Sequence, residues 1–284
     1  MTVKNEGCIN MKRSLRFVSV IAIILSAVLL LSGCSEERKQ AVANYDRECT
    51  RINAERDDLE KVIAESQKLI DSHEEPYDKT TVTALETAVA DSRAAIVEIP
   101  KKRGNAKEIN ELVNEKLKKI SYVETKEMLD TAKTNLENSI RIMKQLTNPS
   151  EAFIIERIRD IDTITGYAGV TEDNDPNGNL NKPGGYTSTV YFASSQIKAE
   201  DRGWLDGTII DNGTDGGGSI EVYVTREDAE KRCEYLAQFD GSRLASGSHR
   251  VVGTVLVRTS DCLTASQQKK LEAEIVANLT ELRD

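Results

Sequence analysis

Apolar positions along the chain fall into three regimes. Phe17 to Leu31 is an unbroken run of fifteen residues with no charge and only two serines, preceded by Lys12, Arg13 and Arg16. It is shorter than the roughly 20 apolar residues needed to cross a bilayer core. A second regime has helical spacing. Val42, Tyr45, Cys49, Ile52, Leu59, Ile63 and Ile70 recur at three- and four-residue steps, with Arg56 and Ser66 interrupting. This predicts an amphipathic helix from Glu36 to Asp71, stopped at Glu75-Pro76. A second helix is expected from Thr81 to Glu98, with Val82, Leu85, Val89 and Ile96 inward. Asn105 and Glu108 have the spacing of a capping box, which starts a third helix. Ser121 and Glu124 repeat that spacing, and Met128, Ala132, Leu136, Ile140 and Met143 continue the stripe towards Leu146. The expectation is an antiparallel bundle of three or four helices.

The third regime begins at Asn148-Pro149, where Asn148 is expected to cap a helix carrying Phe153, Ile154, Ile158 and Ile161. Tyr186–Phe192 is β-branched and aromatic, and Ser219–Val224 alternates Ile220, Val222 and Val224 on one face; both read as strands. Thr225 caps a helix, Val251–Val257 reads as a central strand, and Thr264 with Gln267 boxes the start of a last helix. Strand, helix and strand in succession predict a parallel βαβ unit. The expected fold class is α+β: an N-terminal antiparallel helical bundle, then a small αββαβα domain.

Composition supports that division. Ser35 to Asn148 holds one glycine and three aromatics, whereas Pro149 to Asp284 holds fourteen glycines and nine aromatics. The segments expected are therefore 1–33 as a signal, 34–148 as a helical bundle or spacer, and 149–284 as an α+β domain. Residues 1–33 carry a net +3, which leaves −12 for the remainder of a chain whose total is −9. An acidic surface of mixed sign argues against a nucleic-acid partner.

The sequence Leu31-Ser32-Gly33-Cys34, directly after the apolar run, resembles a bacterial lipobox. A basic start, a short apolar run and small residues before a cut point form a secretory signal. The resemblance implies that Cys34 receives lipid on sulfur and becomes the first mature residue. It places the protein on the outer face of a cell membrane, held there by lipid. One acyl chain gives only marginal binding, and two hold firmly. Met11 is an alternative start to Met1, and Cys8 would then fall outside the protein. Cys49, Cys233 and Cys262 remain in a compartment that permits disulfides. Cys233–Cys262 is the expected pair, with three unpaired thiols as the alternative.

Asp173, Asp175, Asn177 and Asn179, with Gly178 among them, imitate the first part of a calcium loop. Gly184 stands where the loop needs a bidentate glutamate, and the same residues are ordinary turn formers. No other cofactor is expected. Gly216-Gly217-Gly218 lacks the lysine and helix of a phosphate loop. Ser246, Ser248 and His249 lack a nucleophile elbow, and His249 with Cys233 and Cys262 would be an atypical zinc set. Tyr186, Tyr191, Trp204 and Tyr223 are candidates for a sugar- or peptide-binding face, with Tyr186 and Tyr191 expected to point opposite ways.

Residues 171–188, Gly217–Tyr223, Asp228–Arg232 and Val252–Arg258 together resemble a recurrent C-terminal domain of Gram-positive bacterial surface lipoproteins. That resemblance implies location and fold and carries no chemistry. The function expected is a non-enzymatic extracytoplasmic binding or adhesion module, its partner a cell-wall component or a protein. The alternative is an envelope structural or protein-interaction factor acting through its helices.

Overall fold

The computed structural model describes residues 8–283, apart from 199, 201–202, 204, 206 and 243–246, and leaves out the side chains of residues 8–35. Two compact units result, one from residues 1–71 and 84–133, the other from 72–83 and 134–284.

The first unit is helical. Helix α1 (Cys8–Asp71) is followed by α2 (Thr80–Ala95), α3 (Ala106–Glu115), a short turn at Leu117–Lys119, and α4 (Val123–Gln145), of which residues 80–83 and 134–145 belong to the second unit. Of the stripe read along α1, Tyr45, Ile52, Leu59 and Ile63 are buried, while Val42, Cys49 and Ile70 are half-buried; Leu85, Val89, Ile109, Val113, Leu117 and Leu129 are buried in the elements that follow. Ser66 interrupts the stripe as expected and is itself buried. Arg93 donates to Gln67 at 3.0 Å, and the Tyr45 hydroxyl donates to the Pro100 carbonyl at 2.8 Å, so α2 runs antiparallel to α1. Glu55 meets Tyr122 at 2.9 Å and Glu65 meets Lys133 at 2.7 Å, so α3 and α4 climb back along α1, one after the other. The bundle is up, down and up, its third column broken once. At the break, Glu55 accepts from the Tyr122 amide and the Ser121 hydroxyl, while Arg51 pairs with Glu55 at 2.7 Å and donates to the Leu117 and Ile120 carbonyls. The α3 capping box forms as its spacing predicts.

The second unit is α+β. Helix α5 (Glu151–Ile158) leads into β1 (Ile164–Gly169), β2 (Tyr186–Ser194) and β3 (Gly217–Tyr223). Helix α6 (Arg226–Ala237), β4 (His249–Val252), β5 (Val255–Thr259) and α7 (Ala265–Thr280) follow. The strand order is β1-β2-β3-β5-β4, and every neighbouring pair is antiparallel. The expected parallel pair is therefore corrected. Val251–Val257 is not one central strand, because Gly253 (φ +62°) and Thr254 turn the chain back and pair Val252 with Val255. A glycine with positive φ at the first position of a two-residue loop is a type II′ hairpin signature. The crossover through α6 does bring β4 parallel to β3, but β5 inserts between them. Strand β1 was not expected, and the α5 cap is Ser150 rather than Asn148, which has φ +46° and donates its amide to Thr254.

One sheet face is apolar. Val190, Phe192, Ile220, Val222, Val255 and Val257 pack with Ile154, Ile158, Leu271 and Ile275 of α5 and α7. On the other face, Tyr186, Tyr191, Tyr223 and Leu256 pack with Ala229 and Leu236 of α6 and with Leu180.

Candidate functional site

The second face carries charge into the core. Strand alternation directs Thr189, Tyr191, Ser219, Glu221, Tyr223 and Arg258 to it. Arg258 donates to Glu221 at 2.7 Å, the Tyr223 hydroxyl donates to the other carboxylate oxygen at 2.6 Å, and Arg232 of α6 lies 3.4 Å from that oxygen. Glu221 is fully buried and Arg258 is 5 % exposed. Burial and the adjacent carboxylate push the Tyr223 hydroxyl well above its ordinary range. Burial foremost, then Glu221, pushes Tyr191 up to about 12. Both phenols stay neutral at any physiological pH, and Tyr223 is the one that donates to Glu221. Among the described residues, Thr189 Oγ1, Ser219 Oγ and Arg258 Nε are buried without a partner. The cluster holds charge in place. It offers a locked carboxylate.

Sequence reasoning passed over Glu221 and Arg258. The signal was present, as Glu221 is a charge between Ile220 and Val222 and Arg258 follows the apolar run Val255–Val257. Ser219 is the register partner of Arg258, which places Glu221 diagonally across from it.

The loop expected to imitate a calcium site is organised by Asp175. Its carboxylate accepts from the amides of Asn177, Asn179 and Leu180 at 3.1, 2.7 and 2.8 Å and from the Tyr186 hydroxyl. Burial opposes ionisation of Asp175, but these hydrogen bonds outweigh it and hold the carboxyl below its ordinary range. The Asn177 amide donates to the Tyr191 hydroxyl at 3.0 Å. Among the described residues no three or more His, Cys, Asp or Glu side chains gather as a metal site would need.

The expected aromatic face is corrected. Tyr186, Tyr191 and Tyr223 are each 2 % exposed or less, and Trp204 lies outside the described residues. A register shift between Tyr186 and Ser188 puts Tyr186 and Tyr191 on the same side, where Tyr186 meets Tyr223 edge to face at 6.3 Å. The disulfide is corrected too. Cys233 and Cys262 are not joined to each other, and they pack against the cores on opposite faces of the sheet. The same separation breaks the zinc set. His249 lies 3.8 Å from Asp240, and Ser248 is bonded to Thr259 at 2.7 Å. Ser246 lies outside the described residues, as does the side chain of Cys34. Gly217 packs tightly, since a Cβ there would sit 2.5 Å from the Phe192 carbonyl of β2.

The chain matches no family model, no curated protein and no solved structure.

Proposed function

We propose that the protein is a lipid-anchored lipoprotein of the outer membrane face that works by binding rather than by catalysis. The observation that carries this reading is Leu31-Ser-Gly-Cys34, set directly after a charge-free run and behind three basic residues. Two acyl chains on Cys34, each buried methylene contributing about 0.8 kcal/mol, suffice for a stable anchor. Among the described residues no helix is long and apolar enough to cross a membrane. The resemblance of the second unit to the C-terminal domain of surface lipoproteins favours the same location.

The ligand is a cell-wall component or a protein. The tyrosines proposed to receive it on the sheet are covered, and β3 and β5 are buried along their whole lengths. Exposed apolar side chains remain on both units, Val97, Val123 and Met128 on the helical one and Tyr167, Val224 and Tyr235 on the sheet-bearing one. Fractionation of cells producing wild-type and Cys34→Ala chains tests the anchor. The wild type is expected in the membrane fraction and open to external protease, while the variant keeps its full-length signal. A wild-type chain in the cytosol, or a variant processed and anchored like the wild type, would overturn it.

A further inference from the structure

The helical unit contains a cavity of about 870 Å³ between α1, the segment after α2, and α3. Its walls include Arg56, Lys101, Arg103 and Lys116 but only one carboxylate, Glu98, a local net of +3 in a chain of net −9. Concentrated charge of one sign against the overall balance marks a ligand-steering surface.

Three of these cations differ from their neighbours in being unspent. Lys102 lies 2.6 Å from Asp46, Lys119 lies 3.0 Å from Glu115, Lys133 lies 2.7 Å from Glu65, and Arg51 holds Glu48 and Glu55. The side chains of Lys101, Arg103 and Lys116 make no ion pair or hydrogen bond among the described residues. Arg56 has its Nε buried with no hydrogen-bond partner, and Glu60 stands 3.8 Å off.

The wall is held in place. Tyr45 donates to the Pro100 carbonyl at 2.8 Å, and the Lys102 ammonium lies 5.1 Å over the Tyr45 ring. The segment is thus pinned to α1 through Pro100 and Lys102, while Lys101 and Arg103 on either side of Lys102 line the cavity. Asn53 adds a neutral polar group, and Ile99 and Leu112 give an apolar floor.

We infer that this cavity binds a ligand bearing several phosphate groups. The inference rests on the reading of the chain as a binding protein. Two guanidinium forks and two ammonium point charges suit phosphate oxygens, and the volume lies in the range of small-ligand sites. The source is a phosphate compound free in the surroundings, not a lipid headgroup. Along α1 the chain rises roughly 28 Å from Cys34 to Asn53 at about 1.5 Å per residue, which lifts the cavity away from an anchoring bilayer.

The test is calorimetric titration of the full chain in non-ionic detergent with sodium tripolyphosphate. Saturable one-to-one binding is expected. It should weaken at least tenfold in a Lys101→Gln/Arg103→Gln/Lys116→Gln variant that melts like the wild type. A matched variant, Lys107→Gln/Lys118→Gln/Lys119→Gln, should bind as the wild type does. Absence of saturable binding, or equal loss in both variants, would overturn the assignment. Loss of tripolyphosphate binding when the micelles are doped with phosphatidylglycerol would overturn the choice of source. The mass of Cys34 in the same sample reports on the anchor separately, so each idea can fail alone.

Discussion

Glu221 bears the largest consequence for any single side chain. It is fully buried, and its two oxygens are held by Arg258 and Tyr223. Removing one member of such a pair strands the other charge in the core, at a cost of about 3–5 kcal/mol. Glu221→Gln should therefore lower the unfolding free energy of the second unit by about 3 kcal/mol, measured by urea denaturation. A change under about 1 kcal/mol would mean the pair is solvated. Asp175 provides a pH signature. Its folded pKa is depressed, so its contribution is complete above the unfolded carboxylate range and is lost as pH falls through the folded value. Melting curves between about pH 5 and pH 2 should fall more steeply for the wild type than for Asp175→Asn. The thiols give a third outcome. Burial, then nearby carboxylates, raises the Cys233 pKa. Cys233 should thus alkylate slowly in the folded protein and add no cross-link to Cys262 under oxidation, as peptide mapping would show. Residue identities announced the turn at 171–179 but not its wiring, because which donors fill a carboxylate depends on strand register.

Elements were legible where local chemistry decides them. The capping boxes at Asn105/Glu108 and Thr264/Gln267 formed as spaced. At Ser121 the local pattern lost to a distant partner, since Glu55 takes both the Ser121 hydroxyl and the Tyr122 amide. Glu55→Ala should accordingly cost the helical unit about 2 kcal/mol by thermal melting, the range for stranding hydrogen-bond donors. Strand β1 escaped because Gly166 and Gly169 dilute its β-propensity; its place comes from pairing with β2. The hairpin of β4 and β5 was readable at Gly253-Thr254, but a continuous apolar string masked it. A Cβ on Gly253 would lie 2.6 Å from Leu146 Cβ, at a left-handed φ. Gly253→Ala should destabilise the second unit by about 2 kcal/mol or more.

For the whole molecule, composition separated a glycine-poor helical half from a glycine-rich sheet half, and the α+β class follows. Contacts add residues 72–83 and 134–148 to the sheet-bearing unit; Tyr77 packs on its core and donates its amide to Ser139 at 3.0 Å. Long-range packing of that kind leaves no mark in a local pattern. The ligand surface was less legible than the fold. Tyrosines signal affinity for a ligand and affinity for a core alike, and here the sheet is covered on both faces. The helical unit's cations stand out only once their neighbours' ion pairs are known. Phosphate binding in the helical unit does not presuppose an anchor, whereas the proposal of an anchored surface protein presupposes a chain tethered outdoors by one sulfur. Intact mass spectrometry of the membrane-extracted protein tests this most directly. The account predicts a chain beginning at Cys34 and carrying a diacylglyceryl adduct. A chain beginning at Met1 or Met11 with an unmodified Cys34 would contradict it.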